Sequence, residues 1–214
     1  EIPWGMAWLP NGDMLVTERK GALKRRTADG KVTEIKGLPK IRVKGQGGLL
    51  DVAVHPKYAE NGFIYLSYSK PNPANEEEGN TAILRAKIKG DALVEAQDIF
   101  VAQPYTGKAH HYGSRLVFDN DGYLFFSVGD RGDHDKFAQQ LDNHCGKVHR
   151  IKDDGSIPED NPFVNTPNAM GSIYSFGHRN PQGLALRPGT NQMWEHEHGP
   201  RGGDEINLIG RALN

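Results

Sequence analysis

The chain has 214 residues, of which 26 are Lys or Arg and 27 are Asp or Glu, so its formal net charge at pH 7 is −1. Such an even balance gives no electrostatic attraction for nucleic acid or for an anionic membrane, and we expect neither partner. No run approaches the roughly 18 apolar residues of a membrane-spanning helix, and the first residues lack the basic and apolar regions of a signal peptide, so any such peptide would already have been removed. The single Cys145 excludes an intrachain disulfide.

One pattern recurs four times along the chain. A small residue precedes a short alternating apolar run, a turn rich in Pro, Asn, Asp or Gly, and a second run of β-forming residues, which is the signature of a β-hairpin. The copies are WGMAWLPNGDMLVTE (4–18), GGLLDVAVHPKYAENGFIYLSYS (47–69), GSRLVFDNDGYLFFSVGD (113–130) and QGLALRPGTNQMWEHE (182–197). Further strand candidates lie between them, at 22–35, 81–100 and 146–155.

This organisation predicts an all-β protein of the β-propeller class. The glycines at 5, 48, 113 and 183 open the copies at intervals of 43, 65 and 70 residues, and propeller blades typically take about 40 to 50 residues plus loop insertions. A β-sandwich is the alternative, although its turns should fall every 8 to 12 residues or so without a longer repeat. The fourth copy ends before its outer strands are complete, so we expect about four blades of a larger ring, forming one domain over 1–214.

Four motifs, in order, carry a family resemblance. WGMAWLPNGDMLVTER, GQGGLLDVAVHP, SFGHRNPQGLAL and HEHGPRGGDEINLI resemble the soluble aldose sugar dehydrogenases that use pyrroloquinoline quinone (PQQ), within the glucose/sorbosone dehydrogenase family. The resemblance runs through essentially the whole chain. It implies a six-bladed propeller, of which two blades would lie beyond residue 214.

The resemblance also implies an activity. Members of this family oxidise the anomeric carbon of aldose sugars to lactones by hydride transfer to PQQ, use Ca²⁺ as a second cofactor and pass electrons to an external acceptor. A member would be periplasmic or secreted, and a homodimer is compatible with the resemblance. We therefore expect an oxidoreductase whose substrate is an aldose sugar.

Sugar oxidation needs a base for the hydroxyl proton as well as a hydride acceptor, and histidine suits that task. By resemblance the base is His111, on a loop before a predicted inner strand. Asp130, after the following strand, is expected to orient the imidazole through a hydrogen bond. By resemblance Gln46 binds the sugar or positions the base. Where the family's pattern resembles Asp-His, this chain has His110-His111, so an acidic neighbour is replaced.

The stretch GHRNPQG presents several polar groups before a predicted strand. Asn180 precedes Pro181 and is therefore restricted to an extended or turn conformation. A guanidinium stabilises negative charge without titrating, so Arg179 suits the oxygen of a reduced quinone. Asn180 is expected to donate an amide hydrogen bond beside it, and His178 to give structural support.

The stretch HEHGPRGGDEINL looks metal-binding, because calcium accepts backbone carbonyls as well as carboxylates. By resemblance, Gly199 and Pro200 offer their carbonyl oxygens to the calcium that anchors the quinone. Glu205, with Asp204, would join a second, structural calcium whose other ligands lie beyond residue 214. Residues that bind the carboxylates of the quinone are also expected there.

Alternative interpretations stay open at this point. His196 and His198 form a His-x-His pair that suits zinc, but a pair without a third ligand is a weak signal. The DNDG stretch at 119–122 resembles part of a calcium loop, although its place between two apolar strands favours a hairpin turn. For the whole chain, the alternatives are a calcium-dependent propeller lactonase with a central cage of carboxylates and a non-catalytic extracellular propeller related to Hedgehog-interacting protein.

Overall fold

The structure is a computed structural model that describes residues 2–214, without the side chains of residues 134 and 135. The described residues form fifteen strands and two four-residue helices. The strands are β1 (Pro3–Trp8), β2 (Met14–Glu18), β3 (Ala22–Arg26), β4 (Val32–Ile35), β5 (Leu49–Val54), β6 (Phe63–Asn72), β7 (Asn75–Lys89), β8 (Ala92–Val101), β9 (Leu116–Phe118), β10 (Leu124–Val128), β11 (Lys147–Ile151), β12 (Ile173–Phe176), β13 (Pro181–Leu186), β14 (Met193–Glu197) and β15 (Glu205–Ile209). The helices are α1 (Tyr58–Asn61) and α2 (His134–Phe137). Within the described residues, no helix has the length and apolar character needed to cross a membrane.

The strands form four antiparallel sheets arranged as consecutive blades of a β-propeller, which confirms the predicted fold class. Blade 1 contains β1–β4, blade 2 contains β5–β8, blade 3 contains β9–β12 and blade 4 contains β13–β15. Each blade is a meander in which strands that are consecutive in sequence pair with one another. The first strands of neighbouring blades pack together, β1 against β5 and β9 against both β5 and β13, so these first strands are the innermost ones.

The hairpins follow the predicted turns, with two differences, one in blade 2 and one in blade 3. The DNDG stretch is a hairpin turn between β9 and β10, in which Asp119 Oδ1 accepts hydrogen bonds from the amides of Asp121 and Tyr123 at 3.0 and 2.8 Å. The pairing of β6 with β7 extends farther than predicted, because the polar stretch between them continues the ladder to Asn72 and Asn75. The short strand β12 was not predicted, since an irregular segment separates it from β11.

One arginine joins the four blades near the propeller axis. Arg115 directly precedes β9, and its guanidinium donates to Asp51 Oδ1 of β5 at 2.9 Å and to Gln182 O of β13 at 3.1 Å. Its guanidinium carbon lies 4.4 Å from the ring centroid of Trp4 in β1. Since Arg115 itself leads into β9, these contacts link the innermost strands of all four described blades. Arg115 therefore fixes the positions of the four strands relative to one another.

Apolar side chains fill the spaces between neighbouring blades. One buried cluster, which includes Leu15 and Ile64, lies between blades 1 and 2. A second lies between blades 2 and 3, and a third, smaller one lies between blades 3 and 4. Successive side chains of a strand point to opposite faces, so the neighbours Phe125 and Phe126 of β10 belong to different clusters. The blades are therefore held by sheet-on-sheet packing around the axis.

The repeated glycine has a steric cause in the first two blades. A Cβ atom at Gly48 would lie 1.8 Å from the carbonyl oxygen of Arg19. A Cβ atom at Gly5 would lie 3.0 Å from the Cα atom of Asp51. Both contacts join blade 1 to blade 2. Glycine is needed at these positions because two backbones approach each other closely.

The innermost strands begin at one face of the propeller, which we call the entrance face. The segments before β5, β9 and β13 lie there, together with the segments after β2, β10 and β14, because first and second strands of a blade are antiparallel. The opposite face carries the hairpin turns at 9–13, 119–123 and 187–192. On that face Asn120 Nδ2 donates to Thr190 O at 2.8 Å and joins blade 3 to blade 4.

The contact at Gly48 gives a test of the inter-blade packing. Gly48→Ala should lower the free energy of unfolding by about 3 kcal/mol or more, because overpacking against a rigid backbone forces the two blades apart. Gly107→Ala is the control, since a Cβ atom there meets no heavy atom within 4 Å. Urea unfolding of both variants checks this, and equal stabilities would contradict the steric role of Gly48.

Candidate active site

Polar residues of three blades meet at the entrance face. The predicted site residues precede innermost strands or follow second strands: Gln46 before β5, His111 before β9, Asn180 before β13, Asp130 after β10 and Gly199 after β14. Backbone hydrogen bonds join their segments, from Gln46 N to Ala109 O at 2.7 Å and from Asp130 N to Arg179 O at 2.8 Å. The fold therefore brings together groups that are far apart in the sequence.

His111, the predicted base, belongs to one of the segments that meet here. Its Nδ1 lies 2.6 Å from Oδ1 of Asp130, whose side chain is 1% exposed. Its backbone is in the left-handed region, with φ of 55°, which is uncommon for a residue other than glycine and must be held by its surroundings. Among the described residues no hydrogen-bond partner reaches its Nε2. That nitrogen is the one left for a ligand.

Gln46 and Asn180 each use one half of their side-chain amide within the protein. Oε1 of Gln46 accepts a hydrogen bond from His111 N at 2.8 Å, and Oδ1 of Asn180 accepts one from Gly113 N at 3.3 Å. Within the described part of the chain, neither side-chain NH₂ group has an acceptor. Both residues line one depression of the entrance face, together with Trp4, Arg19, Gly45, Gln182 and His198.

Arg179 lines a neighbouring cleft. Its Nη1 donates to His198 O at 2.7 Å, which holds the guanidinium beside the turn that follows β14. The cleft is lined by Gly177, Arg179, Glu197, His198, Gly199, Pro200, Gly203 and Glu205. In the part of the chain that the structure describes, no donor reaches the carbonyl oxygens of Gly199 and Pro200. These two oxygens are free to bind a cation.

The turn after β14 is tight and is supported by Asp204. A Cβ atom at Gly199 would lie 2.3 Å from Gly203 O, so the turn requires glycine. Asp204 Oδ1 accepts from Gly199 N at 2.9 Å, and its Oδ2 lies 3.5 Å from His198 Nδ1. The hydrogen bonds from the Gly199 amide and from His198 hold the pKa of Asp204 below its ordinary value. Glu205 is exposed at the cleft, where its Oε2 accepts from Asn207 at 3.1 Å.

A buried carboxylate beneath this turn was not recognised in the sequence. Glu197 Oε2 accepts hydrogen bonds from the amides of Arg179 and, at 3.0 Å, Asn180. Its Oε1 lies 3.3 Å from His178 Nδ1, and the other ring nitrogen of His178 lies 2.8 Å from Ser175 Oγ. Glu197 therefore fixes the segment that presents Arg179 and Asn180. The alternation of Glu195 and Glu197 with histidines on β14 was the available signal.

His196 and His198, the alternative zinc signal in the sequence, do not belong to a metal-binding group among the described residues. Among the described residues, the group able to share a metal ion consists of His178, Glu195 and Glu197, whose ligand atoms lie within 4.8 Å of one another. His196 instead packs over Gly183, where a Cβ atom would lie 2.1 Å from its ring. His198 lies at the surface beside Asp204.

The two buried glutamates of β14 have opposite pKa shifts. Burial raises the pKa of Glu195 to about 7 and outweighs the hydrogen bond from Asn207 and the charge of His178. Burial also disfavours the charged form of Glu197, but His178 and the amides of Arg179 and Asn180 together hold its pKa below the ordinary value. The two neighbouring carboxyl groups therefore take different protonation states in mildly acidic solution, below the raised pKa of Glu195.

Residues 1–214 match the family model described as Glucose / Sorbosone dehydrogenase. The chain is 40% identical to the aldose sugar dehydrogenase YliI of Escherichia coli (strain K12), over 99% of this chain and 57% of that protein. It superposes on a solved structure described as glucose dehydrogenase with a TM-score of 0.95 and 38% identity, over 100% of this chain and 62% of the other. The PQQ-bound aldose sugar dehydrogenase of Streptomyces coelicolor gives a TM-score of 0.84 and 32% identity, over 98% of this chain and 60% of that one. The chain therefore spans less than two thirds of each of these relatives.

The raised pKa of Glu195 predicts a pH-dependent stability. Between its ordinary pKa of 4.5 and its folded pKa of about 7, the native state keeps a proton that the unfolded state has released, so the native state loses stability as the pH rises through this range. Glu195→Gln has no carboxyl group to titrate and therefore lacks this loss of stability. The difference in free energy of unfolding between Glu195→Gln and the parent protein should increase by about 2–3 kcal/mol from pH 4 to pH 8.

Denaturant unfolding at several pH values measures this difference. Glu159→Gln is the matched control, because Glu159 is exposed. A stability difference between Glu195→Gln and the parent that stays constant from pH 4 to pH 8 would be incompatible with the raised pKa.

Proposed function

The chain belongs to the glucose/sorbosone dehydrogenase family, and from this membership and the geometry around His111 we propose that it is part of an enzyme that oxidises the anomeric carbon of aldose sugars to lactones. We propose PQQ as the hydride acceptor, because the similar Streptomyces enzyme was solved with PQQ bound. The observation that carries the proposal is the imidazole of His111, which has its Nδ1 2.6 Å from buried Asp130 and its Nε2 without a partner among the described residues.

His111 is the proposed general base. The carboxylate of Asp130 accepts a hydrogen bond from Nδ1–H of His111, which leaves the lone pair on Nε2 and fixes the orientation of the ring. Nε2 can then take the proton of the anomeric hydroxyl group while the carbon–oxygen double bond of the lactone forms. The Asp130 carboxylate stabilises the imidazolium that results. A bound quinone supplies the two-electron acceptor that this oxidation requires.

Three further side chains of the chain have free groups directed to the same face. We assign the Arg179 guanidinium to the negative charge that a quinone gains on reduction, because arginine stays charged throughout. The free NH₂ group of Asn180 is suited to donate beside it. Since Oε1 of Gln46 already accepts from His111 N, its NH₂ group is suited to an oxygen of the sugar.

The donor atoms at the turn after β14 fit a calcium ion. Calcium prefers oxygen ligands and accepts backbone carbonyls, and Gly199 and Pro200 offer two carbonyl oxygens that have no hydrogen-bond donor among the described residues. We propose that they hold the calcium associated with the quinone. Glu205 is proposed for a second, structural calcium. Asp204 is proposed to bind this second calcium ion through its carboxylate while it also supports the turn.

PQQ carries three carboxylates, and their burial requires paired cations. Within the described residues, the arginines that line the depression and the cleft at the site are Arg19 and Arg179. We propose that the remaining cations belong to further blades of a six-bladed propeller, as the longer relatives suggest. We expect the 214-residue chain alone to bind the quinone weakly for this reason.

The alternative functions have less support at the site. A propeller lactonase would need a cage of carboxylates at the axis, but Asp51, the carboxylate described there, is paired with Arg115 at 2.9 Å. A purely non-catalytic propeller would have no reason to keep an imidazole oriented by a buried carboxylate.

Substitution of the proposed base gives the most direct test of the function. His111→Gln should lower kcat by about 10²-fold or more, the usual scale for loss of a general base, while the quinone still binds. Steady-state kinetics with an aldose and an artificial acceptor, in the enzyme loaded with PQQ and Ca²⁺, measures this. His110→Gln is the matched control on the same loop and should keep most of the turnover. Near-normal turnover of His111→Gln would reject the assignment.

Removal of metal separates the two proposed calcium sites. Chelation should abolish quinone binding, measured by equilibrium dialysis, and added Ca²⁺ should restore it. Glu205→Gln should still bind the quinone but melt at a lower temperature in Ca²⁺, because an ion bound only by the folded state stabilises that state. An unchanged melting temperature would remove Glu205 from the structural site.

A further inference from the structure

The segment that carries His111 has no regular structure, yet each of its carbonyl oxygens accepts a hydrogen bond. We call residues 107–112 the base loop; it contains no strand or helix. Two arginines from outside the loop supply the donors for four of the six carbonyl oxygens, at Gly107, Lys108, His110 and His111. The conformation of the loop therefore depends on side chains that the loop does not contain.

Arg131 binds the base loop from the segment that follows β10. Its Nη1 donates to His110 O at 2.6 Å and to His111 O at 3.0 Å, and its Nη2 donates to Lys108 O at 2.8 Å. The guanidinium also stacks on the ring of Tyr112, with 3.6 Å between its carbon and the ring centroid. Arg131 directly follows Asp130 in the sequence, and Asp130 orients the imidazole of His111. One short segment thus holds both the ring and the backbone of His111.

Arg42 binds the same loop from the segment before β5. Its Nη1 donates to Lys108 O at 3.2 Å and to the Tyr112 hydroxyl at 2.8 Å, and its Nη2 donates to Gly107 O at 3.1 Å. Tyr112 therefore lies between the two arginines, one on its ring and the other on its hydroxyl. Planar guanidinium groups suit this task because each presents several donors in a fixed geometry.

This arrangement is costly for a purely structural element. Arg131 is 0% exposed and Arg42 is 6% exposed, and neither forms an ion pair with a carboxylate among the described side chains. Burial lowers the pKa of Arg131, which shows that its charged form is disfavoured there. Removing a charged group from water carries a large free-energy penalty, and here hydrogen bonds to carbonyl oxygens rather than a carboxylate offset it. What the two cations provide is one fixed backbone conformation, including the left-handed φ of His111.

We propose that Arg131 and Arg42 are positioning residues that hold the base loop so that Nε2 of His111 faces the substrate. Neither arginine is assigned a contact with substrate or cofactor. The inference rests on the proposed function in one respect, which is that His111 is the base. A displacement of a reacting group by about 1 Å can cost about 10²-fold in rate, so looser holding of this loop should lower kcat and leave KM nearly unchanged.

The first experiment does not depend on activity. The Nδ1 proton of His111 is observed by NMR in the ¹⁵N-labelled full-length enzyme and assigned by its loss in His111→Gln. Arg131→Lys keeps the charge but cannot reach three carbonyls in the same geometry, so exchange of this proton with water should become at least about 10-fold faster. Arg42→Lys should act in the same direction.

The matched control is a buried, stacked arginine away from the site. Arg150 on β11 is 7% exposed, pairs with Asp160 and lies 4.2 Å from the ring centroid of Tyr123. Arg150→Lys should lower stability as Arg131→Lys does but should leave the exchange of the His111 proton within about twofold of the parent. This control separates general destabilisation from loss of the loop conformation.

Kinetics of the enzyme loaded with PQQ and Ca²⁺ complete the test. We expect Arg131→Lys to lower kcat by about 10- to 100-fold with KM within about twofold, and Arg150→Lys to change neither. Unchanged exchange of the His111 proton in Arg131→Lys would overturn the inference whatever the turnover, and so would faster exchange with unchanged kcat. Retained turnover in His111→Gln would instead refute the proposed function, so the two failures are distinguishable.

Discussion

The contacts of Arg115 at the propeller axis are the constraint on which the site depends. One guanidinium, on the residue that precedes β9, contacts the innermost strands of the other three described blades through Asp51, Gln182 and Trp4. Because these strands are held side by side, the segments that precede them must emerge at the same face. Groups as distant in sequence as Gln46 and Asn180 therefore line one depression. The chemistry of the entrance face follows from the arrangement of backbones below it.

Within the site, each polar group has one end used by the protein and another left free. Asp130 occupies one nitrogen of His111, and backbone amides occupy the side-chain oxygens of Gln46 and Asn180. This division fixes orientation without any ligand, so little side-chain entropy is left to lose when a ligand binds. Buried Glu197 likewise fixes the orientation of the Arg179–Asn180 segment, since its carboxylate accepts hydrogen bonds from both backbone amides.

The blades could be predicted because the sequence signals for their strands are local. Many of the contacts that hold the site residues in place could not be predicted. Alternating apolar runs and glycines reflect pleating and close backbone approach, and both can be recognised in a short stretch of sequence. Arg131 and Glu197 are different, because their partners lie about 20 residues away or are backbone atoms, which carry no side-chain signature. The strand β12 was missed for a similar reason, since it is defined by pairing with β11 across a long irregular segment.

The separation of the two faces bears on how the protein can be handled. The hairpin turns at 9–13, 119–123 and 187–192 lie on the face opposite the entrance, and none of the proposed site residues belongs to them. A short flexible linker or a coupling group placed in one of these turns would attach the molecule to a solid support with its entrance directed outward. Immobilised in this orientation, the protein would keep its entrance face open to dissolved molecules.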